Sequence, residues 1–283
     1  MKNPLSSKIF RTELILNLAA IALVVIFLFP VYWMFITSLK SNSEIFARTP
    51  TFFPKKIVFD GYIRQLGYSA VPIWVNFRNS FAIAFCTTAV STVLATFSAY
   101  GLARYRLKLA KPIMMCFLIS EMLPTVLFLA PLFITFNKIK IMDTLLAPVI
   151  FSCLHGIPFS VITLRPYFLG IPKELEDSAI IDGCNRFTAF IRIMVPIAVP
   201  GIVIAGAFTF IWGWGDLMGA LTFIRTDMLQ PLTVNMYKAI GEFGVEWSSL
   251  MAFAVIITVP VLLMFIFLQR YLVNGMTAGA VKG

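Results

Sequence analysis

Charge is what this sequence has least of. Only 13% of its 283 residues are Asp, Glu, Lys or Arg, against 59% hydrophobic, where a soluble domain carries about a quarter charged residues. A chain this poor in charge cannot cover a water-facing surface of its size, which excludes an ordinary soluble globular domain. Acids are scarcer than bases, 13 against 23, leaving a net charge of +10. Histidine occurs once, at His155, so no histidine-based metal site is expected, and His155 reads as a structural residue. The four cysteines, Cys86, Cys116, Cys153 and Cys184, show no C-x-x-C spacing, and none falls in the long polar stretches 38–76 and 216–248. A disulfide framework and a cysteine metal site are both unexpected. G-x-x-x-x-G-K-[S/T] is missing, so the chain has no P-loop with which to hydrolyse ATP. H-E-x-x-H, a serine or cysteine constellation and clustered carboxylates are missing too, which argues against an enzyme embedded in the membrane.

What is present is apolar length. Six runs of about 20 residues or more, near 14–37, 77–102, 112–136, 144–164, 197–215 and 249–273, are each long enough to cross a bilayer. The expected fold is therefore all-α, a polytopic integral membrane protein with six transmembrane helices in one domain. The first run is too long for the apolar core of a signal peptide and no small-residue cleavage site follows it, so it reads as an uncleaved span. The excess positive charge is explained by basic residues flanking spans and meeting anionic lipid. No basic cluster is interleaved with aromatics, so nucleic acid is not an expected partner. Arg104, Arg106, Lys108 and Lys111 crowd the short loop after the second run, the strongest positive-inside signal. With six spans, if this loop is cytoplasmic then so are both termini and the loop 165–196.

The polar stretch 38–76 carries Phe46, Phe52, Phe53, Tyr62, Tyr68 and Trp74, a density expected of a segment lying at the membrane interface. The second run mixes Thr87, Thr88, Ser91, Thr92, Thr96 and Ser98 with Ala84, Ala89, Ala95 and Ala99, the composition of a helix packed on other helices. Pro124 and Pro131 interrupt the third run.

The stretch 171–196, IPKELEDSAIIDGCNRFTAFIRIMVP, holds Glu174, Glu176, Asp177 and Asp182 in an otherwise basic protein. Pro172 fits a first helical turn, and the acids after it favour the positive end of the helix dipole. Gly183 is placed to stop the helix in a left-handed conformation. A second helix is expected from near Asn185 towards Pro196. Leu175, Ala179 and Ile180 form a small apolar stripe, which either folds back on the chain's own spans or enters a partner's groove.

This stretch resembles the EAA loop of ABC-importer permeases, with its pattern E-A-A, three residues, Gly, nine residues, I-x-L-P. Here it reads Asp177-Ser178-Ala179, Gly183, then Ile193-Met194-Val195-Pro196. Asp replaces Glu, Ser the first Ala and Val the Leu. The flanks LRPYFLGIPKELEDSA, WGWGDL and QRYLVNGMTAGAVKG are similar to carbohydrate-uptake permeases of the maltose-permease G-subunit type. Gly215 stands where that family usually has Asn. The resemblance implies the type I importer permease fold and a chain in the bacterial or archaeal cytoplasmic membrane. It also implies a coupling helix that docks on a cytoplasmic ATPase, with Glu176, Asp177, Ser178, Ala179, Asp182, Gly183, Ile193 and Pro196 as the coupling residues. The implied partners are a homologous second permease, an ATPase dimer that uses ATP and Mg²⁺, and an extracytoplasmic solute-binding protein. This chain itself would bind no cofactor.

Glu121 is an acid within a span, rare enough to be a functional candidate. It either lines a solute pathway or pairs between helices. Trp212, Trp214 and Asp216 end the fifth run, where they serve as an aromatic belt or as pathway groups. The segment 275–283 reads as a small, flexible tail, either solvated or touching the ATPase. The alternative to an importer permease is an ion-coupled secondary transporter. Neither an internal repeat nor paired mid-membrane charges favour it.

Overall fold

The computed structural model describes residues 4–67, 71–238, 240–241 and 244–280. Among the described residues five helices are long and apolar enough to cross a membrane: Thr12–Ser38, Ile73–Arg104, Leu146–Gly170, Arg186–Gly215 and Trp247–Tyr271. The third apolar run forms a bent helix pair, the geometry of a broken span or of a re-entrant loop. Ala110–Met122 and Thr125–Lys138 meet at 101°, so the run over 112–136 is two helices, interrupted at one of the two expected prolines. Pro124 is the cause. A proline drives the residue before it out of the helical region, and Leu123 has ψ 133°. Pro131 breaks nothing, because it sits in the first turn of Leu129–Lys138, where a missing N–H leaves no bond unmade. The last helix continues to Ala280. The expected flexible tail after 273 is therefore helical up to that residue, and 281–283 lie outside the described residues.

The chain folds as two compact units, Met1–Ser69 with Lys238–Thr258, and Ala70–Tyr237 with Val259–Gly283. In the first unit the aromatic segment folds onto the end of the first span. The Tyr32 hydroxyl donates to the Phe52 carbonyl at 2.7 Å, and the Phe52 ring meets Trp33 edge-on at 5.9 Å. Lys40 lies 4.8 Å over the Trp33 ring and donates to the Thr51 carbonyl. Phe46, Phe52 and Phe53 remain exposed, as an interfacial segment requires, while Tyr68 lies outside the described residues. Along the first span every residue from 12 to 30 faces outward. A two-stranded pairing, Ile240–Gly241 with Gly244–Val245, is the small exception to an all-α chain among the described residues.

The second unit is built on the second span, Ile73–Arg104, packed against Leu146–Gly170 and Val195–Gly215. Ala84, Ala95, Ala99, Thr87, Ser91 and Thr96 are buried on its inner face. Ala89 and Ser98 point outward, so the small-residue pattern marks one face rather than the whole helix. Thr88 and Thr92 return their hydroxyls to the carbonyls four residues back, at 2.7 and 2.6 Å, which satisfies them without water. Backbones approach closely here: a Cβ on Gly213 would lie 2.9 Å from the Ala84 α-carbon.

The loop after the fifth span is tied down by side-chain amides of the second. Asn76 donates to the Gln230 carbonyl at 2.8 Å, and Asn79 to the Met228 carbonyl at 2.9 Å. Asp143 provides a second tie. Its carboxylate accepts the Thr226 hydroxyl at 2.6 Å and the Arg225 and Thr226 N–H groups at 2.8 Å each. The Thr226 hydroxyl, then these N–H groups, hold the Asp143 carboxyl below its ordinary pKa. A depressed pKa means stability that is present above the ordinary carboxylate range and is lost as pH falls through the folded-state value. Asp143→Ala should therefore lower the melting temperature at neutral pH, with the gap to wild type closing under acid. Melting curves in detergent across pH would measure this, and a gap that ignores pH would reject the carboxylate as its source.

Candidate functional site

Two places gather the candidate residues. The first is the acidic loop. Its helix is Lys173–Ile181, with Pro172 as the extended residue just before it rather than in its first turn. Glu174 and Glu176 occupy that turn, at the positive end of the dipole. The helix closes as a Schellman motif. The Gly183 N–H donates to the Ile180 carbonyl at 3.1 Å, and the Cys184 N–H to the Ala179 carbonyl at 2.9 Å. Gly183 has φ +92°, the left-handed conformation that glycine adopts without steric cost. A new helix starts at once, with the Asn185 side chain accepting the Thr188 N–H at 2.8 Å. It widens into a π turn over Phe190–Met194. Pro196 follows in the first turn of Val195–Gly215. A proline ring clashes with the carbonyl four residues back in a regular helix, and the wider turn relieves that crowding.

The faces of the acidic helix differ in kind. Ala179 is buried at 4% exposure, while Leu175, Ile180 and Ile181 are uncovered. Of the expected stripe, the chain's own spans thus cover only Ala179. Asp177 and Ser178 are exposed, and so are Asp182 and Pro196; Ile193 is half-buried. Glu176, by contrast, turns inward. One carboxylate oxygen accepts the Tyr100 hydroxyl at 2.5 Å, and the other lies 3.4 Å from the Arg104 Nε. That Nε is close enough for ion pairing but is not aimed for a hydrogen bond. Arg104 instead donates from its terminal nitrogen to the Ile171 carbonyl at 2.7 Å. Tyr100 also packs on Phe190 at 4.6 Å between ring centroids, joining the loop to the core of Leu164, Phe168 and Met194. Sequence reasoning missed Tyr100 and Arg104. The available signal was charge: a basic loop and an acidic loop expected on the same side.

The second place is a cavity of about 460 Å³ in the larger unit. Glu121, Trp212 and Asp216 line it, together with Ser152 and His155. Glu121 sits in the last turn before the break at Leu123–Pro124, so the kink turns the end of that helix into the cavity wall. Its carboxylate lies 3.7 Å from the His155 Nδ1. Asp216 follows the last residue of the fifth span. One of its oxygens accepts the Gly219 N–H at 3.0 Å, and its carbonyl accepts the Thr233 hydroxyl at 3.0 Å. Trp214 is elsewhere. It is buried, stacked on Phe210 at 5.8 Å and edge-on to Phe77 at 5.4 Å. Ser152 and His155 are one turn apart on the fourth span, a pairing that sequence reasoning did not connect with Glu121. Among the described residues no group of three or more His, Cys, Asp or Glu is placed to hold a metal ion.

Helices of membrane length, with a capped acidic helix and a polar cavity in the larger unit, fit a solute-transport subunit. The family model for the binding-protein-dependent transport system inner membrane component matches residues 91–278, and the chain belongs to that family. It is 32% identical over 267 residues to the diacetylchitobiose uptake system permease protein DasC of Streptomyces coelicolor, covering 94% of this chain and 96% of that protein. It is 31% identical over 281 residues to the sulfoquinovosyl glycerol transport system permease protein SmoH of Agrobacterium fabrum, covering 99% and 98%. In fold it is similar to a chain in the crystal structure of a bacterial ABC transporter involved in the import of the acidic polysaccharide alginate. That match has a TM-score of 0.74 at 20% identity and covers 96% of this chain and 99% of the other. The chain is thus a multi-pass membrane permease of the ABC-importer kind, a transport component rather than an enzyme, and not the ion-coupled alternative.

Proposed function

We propose that this permease carries a sugar or sugar-like solute across the cytoplasmic membrane, and that it is moved by a separate ATPase dimer docked on the helix Lys173–Ile181. The observation that carries the coupling half is the split character of that helix. Glu176 fastens it to the chain's own second span, while Asp177, Ser178, Ile180 and Ile181 are exposed. A helix held on one face and free on the other is a rigid element through which one body pushes another. In this reading Asp177 makes a charged contact and Ile180 and Ile181 fill an apolar groove. Ala179 and Asp182 keep the helix seated and ended. Ile193 and Pro196 join it to the fifth span. The loop and both termini then face the cytoplasm.

ATP and Mg²⁺ are held by the ATPase chains, since this sequence has no P-loop. A homologous second permease completes the pathway and an extracytoplasmic binding protein delivers the solute. The carbohydrate half draws on the uptake systems of which DasC and SmoH are permease proteins. The test is Asp177→Lys in the assembled transporter. ATP-dependent uptake should fall at least about tenfold, the factor that loss of about 1.4 kcal/mol in docking produces, with membrane abundance unchanged. Uptake at the wild-type rate would reject the docking assignment.

A further inference from the structure

We infer that the cavity beside the kink is a solute-binding subsite of this chain, and that it selects uncharged or amino sugars against sugar acids; this rests on the permease reading above. Four buried polar atoms there have no hydrogen-bond partner: Ser152 Oγ, His155 Nε2, an Asp216 oxygen, and the Glu121 oxygen that lies within ion-pair reach of His155 Nδ1 but beyond hydrogen-bond distance. All four residues line the one cavity. They come from three separate spans or their ends, so no local turn explains the convergence. Ser152 is 7% exposed, and a buried polar group left unpaired is destabilising. A ligand rich in hydroxyls satisfies them together, and the volume of about 460 Å³ lies in the range usual for small-molecule sites, about 300–1,000 Å³.

The charge pattern sets the class. Two carboxylates line the cavity, and no Lys or Arg does. Carboxylates accept hydrogen bonds from sugar hydroxyls or from an ammonium group. A sugar carboxylate or sulfonate would face them with no Lys or Arg to compensate and with His155 already set beside Glu121, a like-charge arrangement that a low-dielectric site penalises heavily. Trp212 adds an aromatic wall to this polar set. Its ring is fixed edge-on against Phe159 at 4.8 Å, giving an apolar ring face a preorganised surface to lie on.

The experiment uses the transporter assembled with its partner subunits in liposomes. Uptake driven by ATP is measured for neutral sugars (glucose, maltose, cellobiose), amino sugars (glucosamine, N-acetylglucosamine and its disaccharide) and acids (glucuronate, digalacturonate). Neutral or amino sugars should enter and the acids should not. For the sugar carried, Glu121→Gln and Asp216→Asn should each raise KM at least about tenfold, the loss of one charge-assisted hydrogen bond. Ser152→Ala should raise it a few-fold. All three should still co-purify with the partner subunits. Uptake of an acid, or wild-type KM in both carboxylate variants, overturns the subsite and leaves the permease reading standing. No ATP-driven uptake of any sugar overturns both.

Discussion

Gly183→Pro should abolish ATP-dependent uptake while leaving the chain in the membrane at its normal level. Two independent requirements fail at once. Gly183 has φ +92°, and proline is held near −65°. The Gly183 N–H donates to Ile180, and proline has no N–H. The combined cost is about 3 kcal/mol or more, larger than a nine-residue helix recovers from its one buried residue, Ala179. Space is not the obstacle, since a Cβ at Gly183 meets nothing within 4 Å. Gly183→Ala therefore isolates the backbone effect. It should weaken uptake in proportion to about 1–2 kcal/mol, the cost of a left-handed L-residue. Uptake assays paired with quantitative membrane immunoblots would check both. Equal activity of the alanine and proline variants would show that the Schellman closure is not what presents the helix.

The second large effect is expected at Arg104. Its side chain is 7% exposed and that of Glu176 13%, so removing the guanidinium strands a buried carboxylate. Breaking a buried ion pair from one side costs about 3–5 kcal/mol, whereas replacing both partners by apolar residues is often neutral. Arg104→Met should lower thermal stability in detergent and reduce uptake. The double variant Arg104→Met, Glu176→Met should recover most of the stability. If helix anchoring by Tyr100–Glu176–Arg104 is what transmits force, the double variant regains stability without regaining uptake. A double variant as unstable as the single one would show that Arg104 acts through its bond to the Ile171 carbonyl instead.

Much of this molecule is legible in local chemistry. Gly183 as a helix stop, Asn185 as the next start and the long apolar runs follow from residue properties over a few turns. The inner face of the second span is readable for the same reason, as small and hydroxyl residues repeat along it. What is not legible depends on distance in the chain. Glu176 reads with its neighbours as a docking residue, but its partners Tyr100 and Arg104 are 76 and 72 positions away, and no periodicity links them. His155 has no carboxylate near it in sequence, because Glu121 lies on another helix. Trp214 groups with Trp212 in sequence, yet two residues on a helix differ by about 200° around the axis, which sends one to the cavity and the other to Phe77 and Phe210. The angle at Leu123–Pro124 is the reverse case: the break is readable, its size is not.

The fifth span has a consequence for how far a push can travel. Arg186–Gly215 is one helix of 30 residues, about 45 Å at 1.5 Å per residue. Its first turn follows directly on the capped acidic helix, and its last turn carries Trp212 to the cavity wall. Under the proposed coupling it acts as a connecting rod whose hydrogen-bond ladder is disturbed at two places, the π turn at Phe190–Met194 close to the driven end and Pro200 beyond it. In that reading a tilt applied below these two places is partly absorbed before it reaches the far end. The stiffness of the π turn and of the turn at Pro200 then sets the gear ratio between the stroke at the acidic helix and any movement of the cavity wall.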